Sequence, residues 1–594
     1  MGEITSRSET AHGLRVDWDV PVPMRDGAVL RADVFRPVDD GAYPVVMTAG
    51  PYGKGLAFSD GYAPMWQRLV TEFPDAVAGT SNSFQVWEAV DPEKWIPDGY
   101  VCVRVDSRGA GRSSGLLDMW SPQETEDYYD AIEWAGTQPW SSGRVGLLGI
   151  SYYAANQWQV AALNPPHLAA ICPWEGFTDI YRDLFRHGGI VNSMGKVWQE
   201  HQIFTVQHGV GDEGRRNPNN GELVAGPPTL SADELACARV ETITEGTARH
   251  LLDDFSRDRT PDLSRIRVPV LSAANWSHHL HTRGNFDAFG KVASPQKWLE
   301  AHGGAHFGEF YTDYGVGLQK RFFGHFLKGE DTGWDTQPPV HLNIRHVDGS
   351  TVGRDESEWP LARTNWTRFH LDVTDQTLTT EPPKQDGTVE FDALGPGVDF
   401  WTAPLSEPVE ITGPASAHIR LASTTNDADV FSTLRVQDAE GNEVSLASAM
   451  DERGVISVGW LRASHRELDE EASLPHQPWH THQRLMPLAP GDPVDLDIAI
   501  LPTCIVIPAG YRFGITLSGR DFQMPGDGPW PVLYGIEQRG NGVIVHEDPE
   551  DRPAEIFDGT TTIFTGPTAQ TSLLLPIIPP SVNYHDNKEL TCTN

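Results

Sequence analysis

The chain has 594 residues, 39% hydrophobic and 21% charged, the composition of an ordinary globular protein too long for one core, so two or three domains are expected. Its 45 basic and 82 acidic residues leave a net charge of −37, which argues against nucleic acid and anionic membranes as partners and suits a solvated surface. No apolar run is long enough to span a bilayer, the first residues show no secretory signal, and Cys102, Cys172, Cys237, Cys504 and Cys592 lack metal-ligand spacing. A cytoplasmic location is the expectation.

In chain order, residues 14–35 alternate in the strand manner around Arg25-Asp26-Gly27, which predicts an opening hairpin. From 43 to about 301, buried-strand runs alternate with helical segments, the pattern of a parallel sheet covered on both faces. Between 176 and 263 the pattern changes. Residues 194–204 and 232–255 read as helices, the second opened by a capping box at Ser231 and Glu234, with a polar loop over 211–228. After Gly333 the helical period ends, and 340–344, 417–421, 430–436, 494–500 and 511–517 read as short strands of an all-β region.

The most informative stretch is Val145-Gly146-Leu147-Leu148-Gly149-Ile150-Ser151-Tyr152-Tyr153, an apolar strand that stops at a serine and runs into a helix. That is the pattern of a nucleophile elbow, where the first helical N–H groups face an anion forming beside the serine. Two further strands end in Pro51-Tyr52-Gly53-Lys54 and in Asp106-Ser107-Arg108-Gly109-Ala110-Gly111-Arg112-Ser113-Ser114-Gly115. Together with Gly149-Ile150-Ser151-Tyr152, these motifs resemble the CocE/NonD group of serine hydrolases, which includes cocaine-esterase-like enzymes and X-prolyl dipeptidyl peptidases. Ala154 stands where that elbow carries glycine, and Gly459 to Arg466 looks like the family's GxLRASxR element.

The resemblance implies an α/β-hydrolase domain over 1–175 and 264–335, a helical cap over 176–263, a C-terminal jelly-roll β-sandwich over 336–580 and a tail over 581–594. It implies Ser151 as nucleophile and His306, in His302-Gly303-Gly304-Ala305-His306, as base in preference to His302. Tyr52 and the Tyr152 N–H are the implied oxyanion donors.

The acid departs from the pattern. The family's GWYD segment reads Asn275-Trp276-Ser277-His278 here, and an imidazole cannot supply the fixed negative charge that steadies an imidazolium. Glu175, directly after the apolar run 168–174, and Asp287 are the two relocated candidates. Glu175 has a competing reading as partner of Arg182, Asp287 one as a helix-start charge, and Asp179 one as an anchor of the cap's entrance.

Trp174, Trp198 and Phe204 suggest an apolar or aromatic acyl pocket, and core packing explains them equally. The expectation is an esterase or acylase that forms an acyl-enzyme on a small ester or amide, without cofactor or metal. Three readings stand beside it: an X-prolyl dipeptidyl peptidase, a zinc site drawn from His278, His279, His281, His302 and His306, and a binding or scaffold protein impaired by its lost acid. Assembly with further copies stays open.

Overall fold

The computed structural model describes residues 5–580, so the expected tail over 581–594 lies outside the described residues. The chain divides into two compact units. The first runs to Leu342 and also takes in Ala447–Glu452 and Gly528–Asp551; the second comprises Asn343–Leu446, Arg453–Asp527 and the chain from Arg552 on. Two short returns from the C-terminal half therefore belong to the first unit.

The first unit is built on a sheet whose strands include β1 (Arg7–Ala11), β2 (Leu14–Pro23), β3 (Val29–Arg36), β4 (Tyr43–Gly50), β5 (Val101–Asp106), β6 (Ser141–Ile150), β7 (Leu168–Trp174), β8 (Val270–Asn275), β9 (Lys297–His302) and β10 (Val340–Arg345). Their spatial order is β1-β2-β3-β5-β4-β6-β7-β8-β9-β10. The expected hairpin is β2 and β3, closed by Gly27 at φ 89°. From β5 to β10 all neighbours are parallel.

Parallel strands covered on both faces must be apolar throughout, and β5 and β8 are buried at every residue. Alternate side chains serve opposite layers. Val103, Leu147 and Ile171 pack with Ile132 of helix α1 (Pro122–Gly136) and Trp158 of helix α2 (Tyr152–Ala161), whereas Cys102, Leu148 and Cys172 join the core that holds Phe323 and Leu327. Each fully buried leucine or isoleucine contributes about 1.5 to 3 kcal/mol. A third helix, α3 (Thr282–Lys291), follows β8.

The span 176–263 is helical in pieces. Met194–Trp198 continues through a wider turn at Gln199–Ile203 and a tighter one at Phe204–Val206. The single helix expected over 232–255 is instead three, Ala232–Cys237, Thr242–Thr247 and Asp254–Arg257. The capping box at Ser231 and Glu234 is present. The first break falls where the Val240 N–H leaves the helix to bond the Leu117 carbonyl, and Thr242, Thr244, Gly246 and Thr247 have little helical propensity to resist it.

The second unit is β-rich. Its eleven-stranded sheet contains all the strand runs expected from 417 on, and the pairing of Val409–Ser423 with Ser572–Ile578 closes it on itself. One closed, barrel-like sheet thus stands where two facing sheets were expected, because the long strand Val409–Ser423 bonds Val494–Ile507 along one edge and both Thr560–Thr565 and Ser572–Ile578 along the other. Within the GxLRASxR-like element, buried Arg462 pairs with Asp429 at 2.8 Å.

Candidate active site

The chemistry-bearing residues of the first unit lie at the carboxyl ends of its parallel strands, the edge where open α/β sheets bind ligands. Ser151 follows β6, Glu175 follows β7, His278 and His281 follow β8, and His306 follows β9. Ile150 pairs with Trp174, so Ser151 and Glu175 are the next residues on adjacent strands. Both take left-handed backbone, Ser151 at φ 57° and Glu175 at φ 52°, a conformation that costs a non-glycine residue energy and marks a sharp elbow. The Ser151 N–H is shared by the Trp174 and Glu175 carbonyls, each at 3.1 Å.

Glu175 is fully buried and carries three partners. Its Oε2 lies 2.6 Å from Nδ1 of His306; its Oε1 lies 2.9 Å from Nε2 of His302 and 3.3 Å from the donating Nδ2 of Asn275. Asn275, in the segment where an acid was expected, thus supports the Glu175 carboxylate. Burial alone would raise the Glu175 pKa, but His306 and His302 outweigh it and hold the group at about 2. Burial likewise opposes charge on His306, and Glu175 and then Glu88 overcome it, lifting the ring to about 9.

His302 is a clamp. Its Nδ1 lies 2.7 Å from Glu300, its Nε2 is held by Glu175, and its ring stacks on Trp174 at 5.1 Å. With both nitrogens engaged, it has none to offer the serine. Asp287 instead pairs with Lys291 one turn along α3. Asp179 pairs with Arg182 and caps Ile180–Phe185, leaving Glu175 to the histidines.

Sequence reasoning missed two features. The first is Glu88, a buried carboxyl at φ 60° whose Oε1 lies 3.2 Å from Nε2 of His306. Burial raises its pKa, and His306, Tyr52 and Trp87 offset that only in part. A lone acid in the apolar run Val86-Trp87-Glu88-Ala89-Val90 was the available signal. The second is the serine's partner. Ser151 Oγ lies 3.0 Å from Nε2 of His281, not on His306, and His281 had entered only as a zinc candidate.

Tyr52 is buried, edge-on to Tyr152 and Tyr153, and its pKa is pushed far up by burial and then by Glu88, so the phenol keeps its proton. Its loop is fixed by Lys54, whose ammonium lies 2.8 Å from both Asp19 and Asp33 and whose N–H donates to Asp106 at 2.6 Å. Asp106 also accepts the Arg112 N–H, which joins the two glycine-bearing motifs. Any Cβ on Gly111, at φ 52°, would meet that carboxylate at 2.2 Å. The Tyr152 phenol donates to Glu124, leaving its backbone N–H at the start of α2 as the group nearest the elbow.

These groups line a hollow with Tyr52, Glu88, Ser151, His281 and His306 on its polar side. Its walls are Trp87, Trp120, Tyr152, Phe177 and Trp198, closed by Met450, Tyr534 and Ile544 from the two returning segments. Of the expected pocket residues only Trp198 lines it. Trp174 is turned into the core against His302, and Phe204 lies under the Arg239 guanidinium at 3.9 Å.

His278, His281 and His306 bring ring nitrogens within 4.8 Å of one another, as a metal site would. Their hydrogen bonds do not fit one. His278 Nδ1 accepts the Leu280 N–H at 3.2 Å and His281 Nδ1 accepts the Phe177 N–H at 3.1 Å. A neutral imidazole has one lone pair, and in both rings a backbone donor occupies it, whereas a ligating histidine keeps that pair for the ion and donates from its other nitrogen.

A serine on a strand-to-helix elbow beside a carboxylate–imidazole pair, on a parallel sheet with a separate C-terminal β-rich domain, defines a hydrolase. Residues 26–308 match the X-Pro dipeptidyl-peptidase (S15 family) and residues 332–574 match the X-Pro dipeptidyl-peptidase C-terminal non-catalytic domain. A CocE/NonD family hydrolase from Staphylococcus aureus is 32% identical with a TM-score of 0.82, over 95% of this chain and 94% of that one. The chain belongs to the CocE/NonD (peptidase S15) family of hydrolases. Cocaine esterase of Rhodococcus sp. (strain MB1 Bresler) is 25% identical over 94% of this chain and 98% of its own. An alpha-amino acid ester hydrolase, 16% identical over 96% of each chain with a TM-score of 0.64, shares the fold.

Proposed function

We propose that this protein is a serine esterase or acylase whose core is an α/β-hydrolase domain, with 176–263 as its cap and a closed, β-rich second domain. The observation that carries this reading is the Glu175–His306 pair at 2.6 Å, whose imidazole lines the same pocket as the elbow serine. In this mechanism Ser151 Oγ attacks the acyl carbonyl and His306 Nε2 takes its proton. That nitrogen rests against Glu88, so this mechanism requires it to turn from Glu88 toward Oγ. Glu175 steadies the imidazolium, and the Tyr52 phenol and the Tyr152 N–H receive the oxyanion. His306 then gives the proton to the leaving group, and water repeats the sequence on the acyl-enzyme.

The aromatic walls favour an apolar or aromatic acyl group. The charge of −37 favours a small-molecule substrate over nucleic acid or anionic membrane as partner. Hydrolysis of p-nitrophenyl esters of graded acyl length, with Ser151→Ala as control, tests the reading. Wild-type turnover, its loss in the variant and stoichiometric labelling of Ser151 by a fluorophosphonate support it. An unlabelled serine, or a variant as fast as wild type, overturns it.

A further inference from the structure

The proposed mechanism uses one imidazole, and the structure sets a second on the nucleophile. His281 is buried, its Nε2 3.0 Å from Ser151 Oγ, its ring parallel to Phe177 with centroids 5.8 Å apart. The Phe177 N–H donates to Nδ1, which leaves the proton of the neutral ring on Nε2, pointing at Oγ. Burial, and then the neighbouring His306 charge, keep the ring neutral by driving its pKa well below the usual histidine value. A neutral imidazole in this tautomer donates to the serine oxygen and cannot accept its proton.

The tautomer is fixed by packing. The Gly176–Phe177 backbone lies against Gly284 of α3, where an added Cβ would come within 2.6 Å of the Gly176 carbonyl and of Phe177 Cα. The loop that supplies the Phe177 N–H is thereby pressed onto the helix that begins next to His281.

We infer that His281 is a second catalytic imidazole, a fixed Nε2–H donor to Ser151 Oγ that promotes departure of the serine oxygen from the acyl-enzyme. The inference rests on the acyl-enzyme reading above. In acylation a donor on the attacking oxygen lowers its nucleophilicity and brings no gain. In deacylation Oγ is the leaving group: water bonds to the acyl carbon as His306 takes its proton, the C–Oγ bond breaks, and His306 returns a proton to Oγ. Throughout, His281 keeps its own proton and stabilises the charge that gathers on Oγ.

The test is pre-steady-state hydrolysis of a p-nitrophenyl ester by wild type, His281→Leu and His281→Gln, with intact-mass detection of acylated protein. In His281→Leu the burst rate is expected to hold or rise, while the steady-state rate falls by roughly 10- to 100-fold and acyl-enzyme accumulates. In His281→Gln an amide N–H can reach Oγ, and most of the steady-state rate is expected to return. If leucine is not accommodated, His281→Asn, whose amide is too short to reach Oγ, is read in its place. Parallel loss of burst and steady-state rates, no change in either, or a glutamine variant no better than leucine overturns the inference and leaves the serine mechanism standing. A wild type that never acylates Ser151 overturns the mechanism itself.

Discussion

Oε2 of Glu175 lies 2.6 Å from Nδ1 of His306, although the two are 131 positions apart in the chain. The contact works because β7 is next to β8: a carboxylate at the tip of one strand reaches the same histidine as one at the tip of its neighbour. Replacing Glu175 by glutamine keeps the shape and removes the charge that steadies the imidazolium. By analogy with loss of a triad acid, kcat is expected to fall on the order of 10⁴-fold. Asp287→Asn, which leaves the Glu175–His306 pair in place, is expected to keep near-wild-type kcat. Ester hydrolysis by the two variants checks both, and equal losses would sink the assignment of Glu175.

The pH–rate profile carries a second signature. With its pKa lifted to about 9, His306 is mostly imidazolium at neutral pH, so kcat/KM is expected to climb as pH rises toward 9. Glu88 helps hold that charge. Removing its negative charge in Glu88→Gln disfavours the imidazolium, so the acidic limb moves to lower pH. A limb unmoved or shifted upward in Glu88→Gln would show that Glu88 does not act on the base.

The same pair links folding to pH. A histidine raised to about 9 contributes stability that is full below its ordinary value near 6.5 and is lost as pH rises through about 9. A glutamate depressed to about 2 contributes stability above its ordinary value that is lost as pH falls toward 2. The stability difference between wild type and Glu175→Gln is therefore expected to be greatest between these limits and to shrink above pH 9. Urea midpoints across that range measure it, and a difference that grows above pH 9 contradicts the pairing.

Tyr52→Phe removes a donor while keeping the ring that packs on Tyr152 and Tyr153. Loss of one oxyanion donor lowers kcat by roughly 10²- to 10³-fold, with little change in KM. Steady-state kinetics on one ester decides it, since a packing role alone would leave kcat near wild type.

Gly284→Ala would force a methyl against the Gly176–Phe177 backbone. Overpacking of this kind costs about 1 to 3 kcal/mol. Because the displaced loop also supplies the N–H that sets the His281 tautomer, the variant is expected to lose both thermal stability and steady-state ester turnover. An unchanged melting temperature would show that the loop yields freely.

The features legible in the sequence are those written in adjacent residues. The elbow at Ser151, the turn glycines, the hairpin around Gly27 and the capping box at Ser231 each depend on a few consecutive residues whose backbone preferences and periodicity carry the information. The three motifs also marked the family, and the order of strands and helices marked the sheet that presents Ser151, Glu175 and His306 at one edge.

Tertiary structure alone decided which distant groups meet that edge. Sequence left both Glu175 and Asp287 as candidates with Glu175 slightly ahead, and only strand order brings one to His306 while α3 turns the other toward Lys291. Glu88 reaches His306 across 218 residues, His281 takes the Ser151 oxygen across 130, and Tyr534 and Ile544 wall the pocket from a segment that sequence assigns to the other unit. A hydrogen bond constrains position in space and leaves no period in the chain, so the direction of the proton on His281 emerges only when the Phe177 N–H is seen beside it.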